Sequence, residues 1–144
     1  MQLSEHFSLE ELIHSDLAVR KGINNDPSSD VLDNLRRLAN LLEQVRKCLG
    51  KPISINSGFR CKQLNDAVGS KDTSQHMIGC AADIRVSGMT PDQVVRAIIA
   101  SKLQYDQLIR EFDAWTHVSI SNEEGSTPRG QTLIIDRAGT RPFV

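Results

Sequence analysis

Histidine nitrogen and carboxylate oxygen are both good ligands for a divalent ion, and the segment SQHMIGCAADIRV holds one of each, His76 and Asp83, seven residues apart. Gly79 lies between them, and a glycine lets the backbone turn so that the two groups can converge. The pair alone is equally compatible with a loop histidine and a strand-capping aspartate. A third candidate, His117, stands in the strand-like run WTHVSI, where a lone histidine faces one side among apolar neighbours. A satisfied core histidine is the alternative there. Two histidines, one carboxylate and a position left to water make the ligand set of a catalytic zinc, which lowers the pKa of bound water toward neutrality.

A nucleophile made from metal-bound water also needs a base to take its proton and a group to return it. Glu111 and Asp113 stand six and four residues before His117. In a straight strand both would share its face, but REFDAWT has the character of a hairpin tip, and spacing leaves the choice open. Arg60 offers a guanidinium for a substrate carboxylate or for the oxyanion of a tetrahedral intermediate, or else opens a helix at the surface. Ser74 could bond substrate or cap its loop. Trp115 could wall the site against water or pack in the core.

The elements that must position these groups follow from pattern. Ser8 and Glu11 form a capping box that predicts a short helix over Leu9 to His14. KGINNDPSS is loop chemistry. Val31, Leu35, Leu38, Leu42, Val45 and Leu49 recur at spacings of three and four, giving a helix from Ser29 to about Leu49 that Gly50 and Pro52 stop. ISINS alternates as a strand, RCKQLNDAVG reads as one or two helical turns, and CAADIRV is a strand. MTPDQVVRAIIAS is an amphipathic helix with Thr90 as N-cap and Pro91 at its first position. YDQLIRE, WTHVSI and QTLIIDR are strand-like, with the polar loop SNEEGSTPRG before the last. Helices come first and strands cluster late, which predicts an α+β fold with a mainly antiparallel sheet and helices packed on it.

The 144 residues suffice for one domain. The division expected is a helical scaffold over 1–50, a metal and catalytic core over 51–120, and a C-terminal loop and strand over 121–144. A net charge of -1 provides no field to draw nucleic acid or an anionic membrane, and no apolar run is long enough to cross a bilayer. Cys48, Cys61 and Cys80 show no pairing pattern and read as thiols, Cys61 and Cys80 as small buried residues. No secretory signal opens the sequence. The expectation is a monomer, cytoplasmic as synthesised, that reaches any cell-wall substrate only when released, for example by phage lysis.

Three blocks, SGFR at Ser57 to Arg60, SQHMIGCAAD with the pattern Ser-x-His-x-x-Gly-x-Ala-x-Asp, and WTHVS, together resemble the D-alanyl-D-alanine carboxypeptidase family of zinc peptidases. That family is similar in fold to the hedgehog signalling domain. Order and spacing agree from about Ile53 to Ile120. The resemblance implies Zn2+ held by His76, Asp83 and His117, a site role for Arg60, and a substrate-side or loop-orienting role for Ser74. It further implies hydrolysis of peptidoglycan stem peptides, at a D-Ala-D-Ala terminus or, as in phage endolysin members, at an L-alanyl-D-glutamate bond. Many members carry an acid three positions before the last histidine, where this chain has Ala114. Hedgehog-like relatives place a glutamate about six before it, which favours Glu111 over Asp113, a residue suited to a turn. Two other functions stay open: a dipeptidase for free D-alanyl-D-alanine, and a zinc-holding binding module without turnover.

Overall fold

The computed structural model describes residues 1–144. Five helices and six strands alternate irregularly: α1 (Leu9–Ile13), α2 (Asp16–Lys21), α3 (Ser29–Leu49), β1 (Ile53–Ser57), α4 (Lys62–Ala67), β2 (Ala81–Val86), α5 (Pro91–Ser101), β3 (Gln107–Glu111), β4 (Trp115–Ser119), β5 (Gln131–Asp136) and β6 (Gly139–Pro142), with a 3₁₀ turn at Gln75–Ile78 before β2. The strands form one sheet in the order β1-β2-β4-β3-β5-β6. Every neighbouring pair is antiparallel except β3 and β5. The fold is α+β with a mainly antiparallel sheet, as the order of patterns in the sequence predicts.

Side-chain alternation assigns the two sheet faces different work. Ala82, Ile84, Val86, Leu108 and Val118 point to one side and join Leu35, Leu38, Leu42 and Val45 of α3 and Val94, Val95 and Ile98 of α5 in the main core. The α3 leucines are inaccessible, so cutting one to alanine costs about 2–5 kcal/mol. Caps set the helix ends. Ser28 accepts from the amide of Val31 at the start of α3, and Gly50 closes it in the left-handed conformation. Thr90 and Gln93 form a capping box on α5, with Pro91 in its first turn.

Three elements lie outside the sequence reading. The six-residue α2 is too short to show a period and is held by its caps, Ser15 accepting from the amide of Ala18 and Gly22 turning left-handed behind it. The 3₁₀ turn is likewise local. β6 has no alternation to detect, because all four of its residues are exposed, and backbone pairing to β5 together with the Arg141–Asp136 ion pair defines it. β3 begins at Gln107 rather than Tyr105, since the carbonyls of Tyr105 and Asp106 accept from Gly130 and Gln131 instead of joining the β4 ladder. The REFDAWT segment is the tip of the β3–β4 hairpin, with Phe112 and Asp113 both left-handed at φ 53° and 51°.

Candidate metal centre

The second sheet face carries the chemistry. Asp83 of β2 lies opposite His117 of β4, and His117 lies opposite Ile109 of β3. In-register partners share a face, so a single row runs from Asp83 through His117 to Ile109 and on to Leu133 of β5. His76 arrives from the 3₁₀ turn, where the Ser74 hydroxyl accepts from its backbone amide and Gly79 ends the turn at φ 77°. Two constraints require glycine at 79. The backbone is left-handed there, and a Cβ would sit 3.0 Å from the Val31 carbonyl oxygen of α3.

His76, Asp83 and His117 each offer a ligand atom within 4.8 Å of the others, and all three residues are buried. His76 Nε2 stands 3.4 Å and His117 Nδ1 3.1 Å from the same oxygen, Asp83 Oδ1. Donors held about 2.0–2.1 Å from one ion at tetrahedral angles would be about 3.3 Å apart, so these spacings fit zinc. The hydrogen bonding makes the same point more sharply. His76 Nδ1 donates to the carbonyl of Gly58 at 2.7 Å, which in a neutral ring leaves a lone pair on Nε2 facing the carboxylate oxygen. Two lone pairs at 3.4 Å repel unless a proton on Nε2 or a metal ion lies between them. His117 Nε2 is buried with no partner, so nothing on that side competes for the ring. Burial pushes the Asp83 carboxyl up, but the imidazoles of His76 and His117 outweigh it and hold the group well below the usual carboxylate range.

Glu111 is two residues along β3 from Ile109 and so shares the face of His117, with Oε1 3.9 Å from His117 Nδ1. The Trp115 indole donates to its other oxygen at 2.9 Å, fixing the carboxylate orientation. Burial, and then the negative charge of Asp83, raise the Glu111 pKa against the pull of His117, Trp115 and Arg60. Asp113 does not join this group. It is exposed in the hairpin tip and pairs with Arg110 at 2.9 Å.

The Arg60 guanidinium donates to Asn65 Oδ1, Ser57 Oγ and Ser74 Oγ at 3.2–3.4 Å. Burial lowers its pKa while Asp83 and Glu111 draw it back up, so its charge is felt at the cluster. None of its partners is a carboxylate, which leaves that charge unspent. Ser74 thus accepts from both His76 and Arg60.

Sequence reasoning missed the groups that aim these side chains. Gly58 supplies the carbonyl for His76, and the next amide, that of Phe59, donates to the carbonyl of Leu12 in α1. Asn25, buried in the loop before α3, donates to the carbonyls of Ile13 and Phe59 and accepts from the amide of Cys61. Gln75 donates to Asp106 Oδ2 at 3.0 Å. Its place inside the SQH block was the available signal. The three cysteines are free, and burial pushes the Cys80 thiol up to about 11, so it is inert at neutral pH.

Ser74, Gln75, Ile109, His117, Leu133, Ile135 and Thr140 line part of an open cleft of about 870 Å³. No helix is long and apolar enough to cross a membrane.

Comparison with known proteins agrees with the cluster. The chain is similar to the zinc D-Ala-D-Ala carboxypeptidase of Streptomyces albus G, with 46% identity over 44 residues. That stretch covers 30% of this chain and 17% of the relative, so the likeness is confined to a short part of a longer protein. The family model of peptidase M15 matches residues 5–119, which include His76, Asp83, Glu111 and His117. By that match the chain belongs to the peptidase M15 family.

Proposed function

We propose that this chain is one catalytic unit, a zinc metallopeptidase that hydrolyses peptidoglycan stem peptides containing D-amino acids, with His76, Asp83 and His117 as ligands. The observation that carries this reading is the buried carboxylate facing two imidazoles with no cation of the chain's own between them. When bound, zinc supplies Lewis acidity toward a carbonyl oxygen and toward water.

The chain's own groups do the rest. Glu111 takes the proton of the attacking water and returns it to the leaving amine. Its raised pKa brings the acid and base forms closer in energy near neutrality, which suits a group that must both accept and release a proton. Trp115 holds one carboxylate oxygen and leaves the other toward the cluster. Arg60, its charge not neutralised by any bonded carboxylate, binds a substrate carboxylate or the oxyanion, and Ser74 orients it.

The test is mass spectrometry of peptides released from purified wall sacculi by the zinc-loaded protein, with and without chelator, alongside free D-alanyl-D-alanine. Release from sacculi, abolished by chelator, is the expected result. Cleavage of the free dipeptide alone would make it a dipeptidase. Stoichiometric zinc without any cleavage would leave a binding module.

A further inference from the structure

Gln75 stands between two residues of the site, Ser74, which holds Arg60, and His76, at the open position of the Ser-x-His pattern. Its side chain turns away from the ligands toward the start of β3 and the loop over 121–130. There Nε2 lies 3.0 Å from Asp106 Oδ2, 3.0 Å from the carbonyl oxygen of Ile120 and 2.7 Å from Asn122 Oδ1. A carboxamide nitrogen carries two protons, so three acceptors compete for two donors. Oε1 is the reverse case: it is buried and nothing donates to it. Exchanging the two ends of the amide is no remedy, because the oxygen would then face three oxygens. The residue is 8% exposed and lines the cleft that also holds His117. Among the three acceptors Asp106 is buried and bound by Arg129, and Ile120 contributes main chain whose amide is bonded to Cys80. Asn122 alone is an exposed side chain on a loop, so its contact is the one that can be exchanged, its Oδ1 returning to water.

We infer that Gln75 is a substrate-binding residue whose carboxamide grips the backbone of one residue of an extended peptide. The C=O of that residue replaces Asn122 Oδ1 at Nε2, and its N–H supplies the donor that Oε1 lacks. In extended chain the C=O and N–H of one residue point the same way, as in an antiparallel bonded pair, and a primary carboxamide presents the complementary donor and acceptor. The exchange is even at Nε2 and gains a bond at Oε1. The inference rests on the peptidase reading above and deepens it by naming the ligand at this end of the cleft as peptide main chain. No Phe, Tyr or Trp is in the cleft lining, so a sugar ring finds no flat apolar face there. Asp106 precedes β3, three residues before Ile109 in the ligand row, on the order of 10 Å along the strand. The opposite end of β3 carries Glu111. The residue gripped is therefore a few positions from the bond that is cut, and a main-chain grip accepts L and D residues alike.

The experiment uses calorimetry with the zinc-loaded Glu111→Gln protein and linear stem-type peptides in which each amide is replaced in turn by an ester, which keeps the C=O and deletes the N–H. One ester position outside the scissile bond should bind about fivefold to tenfold more weakly than the all-amide parent, the scale of one hydrogen bond. Adding Gln75→Met should weaken the parent by a similar factor and shrink the penalty of that same ester to less than twofold. Asn122→Ala should tighten the parent about threefold, since it removes the competing acceptor, whereas a residue that only braces the loop would weaken binding when lost. Should Gln75→Met not fold, Asn122→Ala decides. Binding with this ester pattern by a protein that cleaves nothing in its wild-type form would sink the peptidase reading and leave the Gln75 subsite standing. Cleavage of the parent with no ester-sensitive position would do the opposite. Binding of no peptide at all, an ester penalty that persists in Gln75→Met, or an Asn122→Ala protein that binds no tighter would each overturn the subsite.

Discussion

Two buried aspartates, served by neighbouring residues of one 3₁₀ turn, are treated in opposite ways. Asp106, 4% exposed, accepts from Gln75, from the backbone amide of Arg129 and from its guanidinium, at 2.7 Å for the shortest contact. Asp83, 8% exposed, faces His76 and His117, of which only His117 has a nitrogen free to donate. Burying a carboxylate costs several kcal/mol unless charge and hydrogen bonds offset it. Asp106 meets that requirement with a cation encoded in the chain. Asp83 has only imidazoles beside it, so its countercharge is a proton or a metal ion taken up from solution. The same residue type therefore serves as a fixed strut in one place and, in the proposed reading, as one of three metal ligands in the other.

The contrast is sharpest in activity. Glu111→Gln should lower kcat on wall peptides by about 10²–10⁴ while zinc stoichiometry holds, and Asp106→Asn should leave kcat of the folded protein within about threefold. Steady-state kinetics with metal analysis would break the comparison if the two variants behaved alike. Next in size is metal linkage. Free zinc at one hundred times its Kd should stabilise wild type by about 2.7 kcal/mol in urea unfolding, and Asp83→Asn should show none of this gain at the same concentration. Asp106→Asn should lower stability by about 1–3 kcal/mol with or without metal, the scale of lost charged hydrogen bonds when the freed arginine can reach water.

The smallest effect is a pH dependence. Burial raises the Asp106 carboxyl, but the hydrogen bonds and charge of Arg129 prevail, and its pKa in the folded protein is lowered. A group depressed on folding gives stability that is complete above its unfolded pKa of about 3.9 and drains away as pH falls through the folded value. Acid unfolding of wild type should therefore steepen below about pH 4 relative to Asp106→Asn, followed by circular dichroism in metal-free buffer. Parallel curves would remove Asp106 as a contributor.

The ligand candidates could be read from sequence because their logic is local: His76, Gly79 and Asp83 lie within one short segment, and His117 sits in a strand of marked pattern. Spacing could not choose between Glu111 and Asp113, and the resemblance only favoured Glu111, since the choice depends on where the hairpin turns and hence on which residue keeps the strand register. The Asp106–Arg129 strut was silent for a different reason. Its partners are 23 residues apart across a polar loop, and no local preference marks either one. The β5 side of the cleft was half visible. QTLIIDR announced a strand, but only its parallel pairing to β3 brings Leu133 beside Ile109, in the row of the ligand candidates.

Gly58, whose carbonyl aims His76, also lies tight against α1: a Cβ on residue 58 would fall 2.2 Å from the Leu12 carbonyl oxygen. A single methyl group there would act as a wedge, levering the first helix off and swinging the imidazole out of alignment through one shared peptide. Gly58→Ala should consequently weaken zinc uptake with every ligand intact. Amputating the first two helices should blur the centre in the same manner, making the N-terminal region the jig in which the ion's cradle is set.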